Sequence, residues 1–188
     1  CFFSNKKIKK KLIWFHGASV GEILSILPLV EKLEKNKNIG QILITSNTLS
    51  SSKILSNLKL KKTIHQFFPI DSNYHTKKFL DYWNPSLAIF IDSEIWPNMI
   101  MAIKKKSIPL MLLNGRITKK TFKKWKLFNK SAKSLFEIFD ICISSNLKSR
   151  KYLKTLGAKK IKFIGNLKFS QTEKNEDYLD RSLKKFFL

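Results

Sequence analysis

The sequence predicts an α/β fold, a doubly wound Rossmann-like parallel sheet, on three observations. Short apolar runs rich in Ile, Leu and Phe recur along the chain, and amphipathic segments of helix length separate them. The runs are continuously hydrophobic instead of alternating, as expected for strands covered on both faces.

Seven strands are expected in order: LIWFHGA (12–18), QILITS (41–46), IHQFFPI (64–70), LAIFIDS (87–93), PLMLLNG (109–115), DICISS (140–145) and IKFIGN (161–166). Between the first two, GEILSILPLVEKLEKN places Leu24, Leu27, Val30 and Leu33 on one helical face, with Glu31, Lys32, Glu34 and Lys35 on others. Pro28 should kink that helix or mark its first turns. Asn84-Pro85 and Ile108-Pro109 precede strands, where proline ends a helix without removing a ladder bond.

The reading divides the chain into a basic lead-in at 1–11, one α/β domain at 12–170 and a segment at 171–188. The lead-in carries Lys6, Lys7, Lys9, Lys10 and Lys11 and starts at Cys1 instead of Met, which suggests that an upstream segment is missing. Apolar periodicity fades after Asn166, and Glu173, Glu176, Asp177 and Asp180 gather in a stretch that reads as a linker or the start of a further domain. No internal repeat of 20 to 50 residues is present.

The chain has 188 residues, 43% of them hydrophobic, with 37 Lys plus Arg against 13 Asp plus Glu for a net charge of +24. Length and hydrophobicity suit a single buried domain. Part of the charge reflects a Lys-rich, Ile-rich and Asn-rich composition, in which only Arg116, Arg150 and Arg181 are arginine. The remaining excess favours contact with phosphates, on nucleic acid or on lipid headgroups. Cys1 and Cys142 provide neither a disulfide framework nor metal-ligand spacing, and Cys142 is expected in the core. No apolar run reaches the ~20 residues of a transmembrane helix.

In open α/β sheets ligands bind beyond the carboxyl ends of the strands, so the polar residues there are the candidates. His16-Gly17-Ala18-Ser19-Val20-Gly21-Glu22 is a small-residue turn that puts Glu22 in the first turn of a helix, where the helix dipole favours an ionised acid. A base is therefore available, although a first-turn acid also serves a purely structural end. The loop lacks G-x-G-x-x-G spacing and a Walker lysine. Thr45-Ser46-Asn47-Thr48 supplies donors at the second strand end and equally suits a helix N-cap.

Asp92-Ser93-Glu94-Ile95-Trp96-Pro97-Asn98 sets two acids and a tryptophan after an apolar strand, with proline placed to open a helix. Glu94 there is either functional or a cap. Asn114-Gly115-Arg116 ends the fifth strand with a glycine that permits positive φ and an arginine suited to phosphate or carboxylate, or simply to solvent. His16, His65 and His75 form no zinc pattern, and no nucleophile elbow appears. Residues 118–126 (TKKTFKKWK) mix cations and aromatics on a helix, which fits an anionic membrane surface, a nucleic-acid patch or a solvated face.

Taken together, WFHGASVGE (14–22), SEIWPN (93–98), LLNGRI (112–117) and IGNLKF (164–169) resemble the Kdo (3-deoxy-D-manno-octulosonic acid) transferases in order and spacing. The resemblance covers about residues 12–170, including Pro69-Ile70-Asp71 and Leu156-Gly157-Ala158. It implies the N-terminal half of a B-type (GT-B) glycosyltransferase, in which this domain binds the acceptor, lipid IVA, and a second one binds CMP-Kdo. It implies inverting transfer without a metal or other cofactor, with Glu22 as general base.

Ser19, Gly21, Thr48, Glu94, Arg116 and Lys168 are acceptor-binding candidates on this reading, and the expected topology sets Glu94 near Glu22 across adjacent strand ends. The family's N-terminal anchor and C-terminal donor domain have no counterpart in this sequence, so this chain alone is expected to be inactive. The implied location is the cytoplasmic face of the bacterial inner membrane, with the lysine and aromatic surface against anionic lipid. Nucleic acid is not an expected partner on this reading. The alternative is a basic nucleic-acid-binding α/β module without transferase activity.

Overall fold

The structure is a computed structural model that describes residues 10–163. Among the described residues seven parallel strands form one sheet: β1 (Lys11–His16), β2 (Ile39–Ser46), β3 (Thr63–Phe67), β4 (Leu87–Ile91), β5 (Leu110–Gly115), β6 (Ile141–Ser144) and β7 (Ile161–Phe163). The order across the sheet is β3-β2-β1-β4-β5-β6-β7. Each expected strand is present, several of them ending earlier at the carboxyl side because the polar residues there turn into loops.

Seven helices connect them: α1 (Val20–Glu34), α2 (Leu49–Ser56), α3 (Asn73–Trp83), α4 (Pro97–Lys105), α5 (Lys119–Leu127), α6 (Asn129–Phe136) and α7 (Leu147–Leu156). Continuous hydrophobicity is explained by two cores that share the five central strands β2, β1, β4, β5 and β6 between them. Leu12, Trp14, Ala88 and Phe90 point into one core with Phe79, Trp83, Met99 and Phe136 from α3, α4 and α6. Ile13, Phe15, Leu87, Ile89 and Ile91 point into the other with Ile23, Ile26 and Val30 from α1. Because successive strand residues face opposite sides, both must be apolar. Truncating a fully buried ring such as Trp14 or Phe90 to alanine costs about 3–5 kcal/mol by this burial.

Pro28 marks no first turn: it lies inside α1, which runs on to Glu34. The ring sits on the exposed side of the helix, where the backbone bond it removes is reachable by water. Asn84 ends α3 in the left-handed region at φ 41, as asparagine tolerates, and Pro85 follows. At Gly157, which caps α7 at φ 114, a Cβ would lie 2.9 Å from the Lys133 carbonyl oxygen, so no larger residue fits.

The expected basic and aromatic stretch is α5, which buries none of its residues. Phe122 stacks on Tyr152 with ring centres 4.1 Å apart, and the Lys126 ammonium lies over the Phe122 ring. Cys142 is fully buried, and burial pushes its thiol up to about 12. Among the described residues, no helix is long and apolar enough to cross a membrane.

Strand order reverses at β1 and β4. The chain leaves β1 toward β2 on one side and leaves β4 toward β5 on the other, so their carboxyl ends open a crevice between diverging loops.

Candidate functional site

Glu22 lies on the β1 side of that crevice. Ser19 is the N-cap of α1: its hydroxyl accepts from the Glu22 N–H and donates to Glu22 Oε1 at 2.9 Å. The Ala18 N–H donates to Glu22 Oε2 at 2.8 Å. The S-x-x-E spacing thus folds into a reciprocal cap that fixes the carboxyl group in one orientation. Gly17 makes this packing possible, since a Cβ there would meet Glu22 Cβ at 3.1 Å and Ile91 Cδ1 at 3.2 Å. Glu22 is 9% exposed.

Position at a helix start leads to the expectation of a readily ionised acid, and the structure reverses it. Burial raises the Glu22 proton affinity, the Ser19 and Ala18 hydrogen bonds lower it, and the charges of Glu94 and Asp92 raise it again. The net result lies above the ordinary carboxylate range. Burial of the carboxyl outweighs the helix terminus and its two hydrogen bonds, and the Glu94 and Asp92 charges add to it to a smaller degree.

The β4 side supplies those acids. Asp92 leaves the strand with φ 59, its N–H donating to the Leu113 carbonyl while its own carbonyl accepts from Arg116 N–H. Glu94 Oε2 accepts from Trp96 Nε1 at 2.8 Å and lies 3.4 Å from His16 Nε2. Pro97 opens α4 as expected, and Trp96 as N-cap has no side chain able to accept. Asp71, from the loop after β3, replaces that cap. Its Oδ1 accepts from Met99 N–H at 2.7 Å and its Oδ2 from Asn98 N–H at 3.2 Å.

His16, the last residue of β1, is fully buried. Phe68 stacks on it at 3.8 Å, Phe90 meets it edge-on, and Nδ1 lies 3.2 Å from the Thr45 carbonyl oxygen and 3.0 Å from Thr45 Oγ1. Burial lowers its proton affinity, opposed by Glu94 and by the Thr45 carbonyl. Beside it, a cavity of about 510 Å³ is lined by Asn47, Phe68, Ile70, Asp71 and Trp96 among others.

The structure therefore brings Ser19, Glu22 and Glu94 together and adds Asp92 and His16. Gly21 is exposed beside them, and a Cβ there would meet nothing within 4 Å, so open space lies over that turn. Thr48 is exposed and is the N-cap of α2, accepting from Ser51 N–H, so its expected capping reading holds. It lies on the same rim, where Asn47 N–H donates to the Ala18 carbonyl. Arg116 is exposed at the β5 end. The positive φ expected at Gly115 is instead at Asn114, φ 56; Gly115 is small because a Cβ would fall 2.8 Å from Leu112 Cδ2. Lys168 and the motif at 164–169 lie outside the described residues.

His16 and Asp71 escaped the sequence reading because their roles depend on neighbours from other strands. The available signal was a histidine and an aspartate standing at the ends of apolar runs.

This geometry, a Rossmann-like domain with an acidic crevice at its switch point, is shared in its fold by solved structures of low sequence identity. The Staphylococcus aureus MnaA–UDP co-structure matches with a TM-score of 0.61 at 16% identity, over 84% of this chain and 44% of that one. The UDP-GlcNAc 2-epimerase from Neisseria meningitidis bound to UDP-GlcNAc matches with a TM-score of 0.58 at 16% identity, over 94% and 50%. The class is thus a parallel Rossmann-like sheet that corresponds to about half of each larger chain.

The sequence carries the assignment further: residues 1–171 match the family 3-deoxy-D-manno-octulosonic-acid transferase (kdotransferase), and the chain belongs to that family. A 3-deoxy-D-manno-octulosonic acid transferase from Rickettsia typhi is 40% identical over 162 residues, covering 86% of this chain and 35% of the relative. Another from Rickettsia prowazekii is 38% identical over 159 residues, covering 85% and 34%. One from Haemophilus influenzae is 26% identical over 167 residues, covering 87% and 39%. The chain spans about a third of the length of these curated relatives.

Proposed function

We propose that this chain forms the acceptor-binding half of a two-domain GT-B transferase that moves Kdo from CMP-Kdo to lipid IVA, with Glu22 as general base. The observation that carries this reading is the Glu22 carboxyl at the switch point: oriented by two hydrogen bonds, nearly buried, and held above the ordinary carboxylate range. Each oxygen accepts one internal hydrogen bond and keeps a second lone pair for an incoming hydroxyl. An acid with raised proton affinity is better matched to proton removal than an ordinary surface glutamate.

In the proposed step the acceptor oxygen attacks the anomeric carbon of Kdo, its proton passes to Glu22, and the bond to CMP breaks with its electron pair leaving on the phosphate. Attack from the face opposite the leaving group inverts the anomeric centre. Glu94 and Ser19 border the same crevice and Gly21 leaves room for the acceptor, while Thr48, Arg116 and Lys168 are proposed as further contacts. The donor is delivered by a second domain.

Exposed Phe67 and Ile70 line the cavity beside His16, Tyr74 is exposed in the first turn of α3, and Leu127 and Phe128 project among the lysines at the end of α5. Apolar groups beside cations support docking of this half on an anionic inner-leaflet surface, where a phosphorylated lipid acceptor resides.

The test is Kdo transfer by full-length protein carrying Glu22→Gln. A loss of kcat of about 100-fold or more is expected for removal of a general base. Near wild-type transfer would exclude Glu22 from that role.

A further inference from the structure

Hydrogen bonds join the cavity beside His16 to the carboxylates of the crevice. Trp96 lines the cavity and donates from Nε1 to Glu94 Oε2 at 2.8 Å. Asn47 lines it too, and its N–H donates at 3.4 Å to the carbonyl of Ala18, whose own N–H holds Glu22 Oε2. The cavity, about 510 Å³, thus reaches Glu94 through one residue and Glu22 through two.

Its wall is apolar. Phe67, Phe68, Pro69, Ile70 and Trp96 supply it, with the Phe68 and Trp96 ring centres 5.1 Å apart. The polar groups that also line it are engaged elsewhere: Ser46 Oγ pairs with His65 Nε2 at 2.8 Å, and both Asp71 oxygens accept from the first turn of α4. Of the polar lining residues only Asn47 is exposed. A sugar ring turned into this wall would exchange water for few partners, at a cost for each hydroxyl. A hydrocarbon chain has nothing to pair and removes apolar surface from water.

Exposure of the wall points the same way. Ile70 is 69% exposed and Phe67 46%, although both stand next to the crevice. Large apolar side chains left in water beside a reaction site mark a surface that an apolar group covers.

We propose that this cavity is an acyl-chain subsite: it takes the first part of one fatty acyl chain of the lipid acceptor while the attacking hydroxyl lies at Glu22. The inference rests on the reading of this half as the acceptor-binding one. Trp96 then serves both parts of the ligand, since its N–H fixes Glu94 beside the headgroup and its ring borders the chain.

The test uses full-length protein and acceptors that stay monomeric in water: the phosphorylated disaccharide of lipid IVA bearing a single acyl chain of increasing length, with no membrane or detergent present. KM for Kdo transfer should fall by up to roughly fourfold for each methylene added, the effect of moving one methylene from water into an apolar site, until the chain outgrows the cavity. Phe67→Asn combined with Ile70→Asn should flatten that slope by making the wall polar. Both side chains are exposed, so the fold should be retained, which melting curves check. A slope that is flat in wild type, or that survives in the double variant, overturns the proposal. A flat slope in a protein whose dimer the double variant dissociates assigns the face to a second copy of the chain instead.

A second measurement needs no catalysis and leaves the wall apolar. Bromine at the end of the acyl chain quenches the fluorescence of a tryptophan that it touches, and Trp14 and Trp83 are fully buried. Quenching should be lost in Trp96→Phe and kept in Trp125→Phe. Absent quenching, or quenching lost only in Trp125→Phe, overturns the proposal, the latter by placing the chain at α5. If wild type transfers no Kdo to lipid IVA, the acceptor reading falls and the subsite with it, whereas transfer to lipid IVA with a flat slope removes the subsite alone.

Discussion

Ser19 and Glu22 hold each other reciprocally, the serine hydroxyl donating to the carboxylate at 2.9 Å while accepting from the glutamate's own N–H at 3.4 Å. One hydroxyl therefore caps α1 and orients the acid at the crevice. Ser19→Ala should cost about 1 kcal/mol for loss of the cap. It should also raise the Glu22 proton affinity further, since a hydrogen bond to the charged form is lost. Urea melts report the first effect and an upward shift of the acid limb of the pH–rate profile the second.

Glu22 has a cost to the fold that depends on pH. A carboxyl whose folded proton affinity exceeds its unfolded one leaves stability untouched below the unfolded pKa. Stability then falls as pH rises, and the penalty is complete above the folded pKa. Glu22→Gln keeps an acceptor for Ala18 N–H and removes the charge. It should therefore be more stable than wild type at pH 8 and indistinguishable near pH 3. Thermal melts across that range test the sign directly, and a variant destabilised at pH 8 contradicts it.

Gly21 separates structural from functional need. A methyl group there meets no neighbour, and alanine is the better helix former by up to about 1 kcal/mol. Gly21→Ala should hold or raise the melting temperature while weakening acceptor affinity, read as KM, because the methyl group enters space left for the ligand. Unchanged KM would remove Gly21 from the binding surface.

Asp71 anchors α4 from another loop. Asp71→Ala leaves the Asn98 and Met99 N–H groups without their side-chain acceptor and should cost about 1–2 kcal/mol. Asp71→Asn retains one acceptor oxygen and should cost less. Because Glu94 and Trp96 precede that helix, amide exchange at residues 94–99 should quicken more in the alanine variant than in the strands.

How much of this was readable in advance divides along one physical line. Strand and helix alternation is written in local periodicity, and Pro97 at a helix start and Ser19 three residues before Glu22 are local signals too. The same holds for capping by Thr48. His16 against Thr45 and Phe90, by contrast, follows from β1 lying between β2 and β4, and capping of α4 by Asp71 follows from where the β3 loop ends. The Glu22 proton affinity follows the same line. The helix terminus is visible in the sequence, whereas the burial that raises it, and to a smaller degree the charges of Glu94 and Asp92, arrive only when the sheet closes around the crevice. At Asn114 the rule that glycine takes positive φ failed because asparagine tolerates that region and Gly115 was needed for its small size.

The switch point between β1 and β4 also governs when the site comes into being. The pairing of His16 with Phe90 must wait while all of α1, β2, α2, β3 and α3 is accommodated, making it one of the costlier loop closures in the chain. A nascent or partly collapsed chain can form the Ser19–Glu22 cap at once, since it is local. It cannot confront Glu22 with Glu94 and Asp92 until the centre of the sheet has closed. The electrostatic tension at the crevice is thus a late product of folding, absent while the nucleus is being built and imposed on a framework already able to bear it.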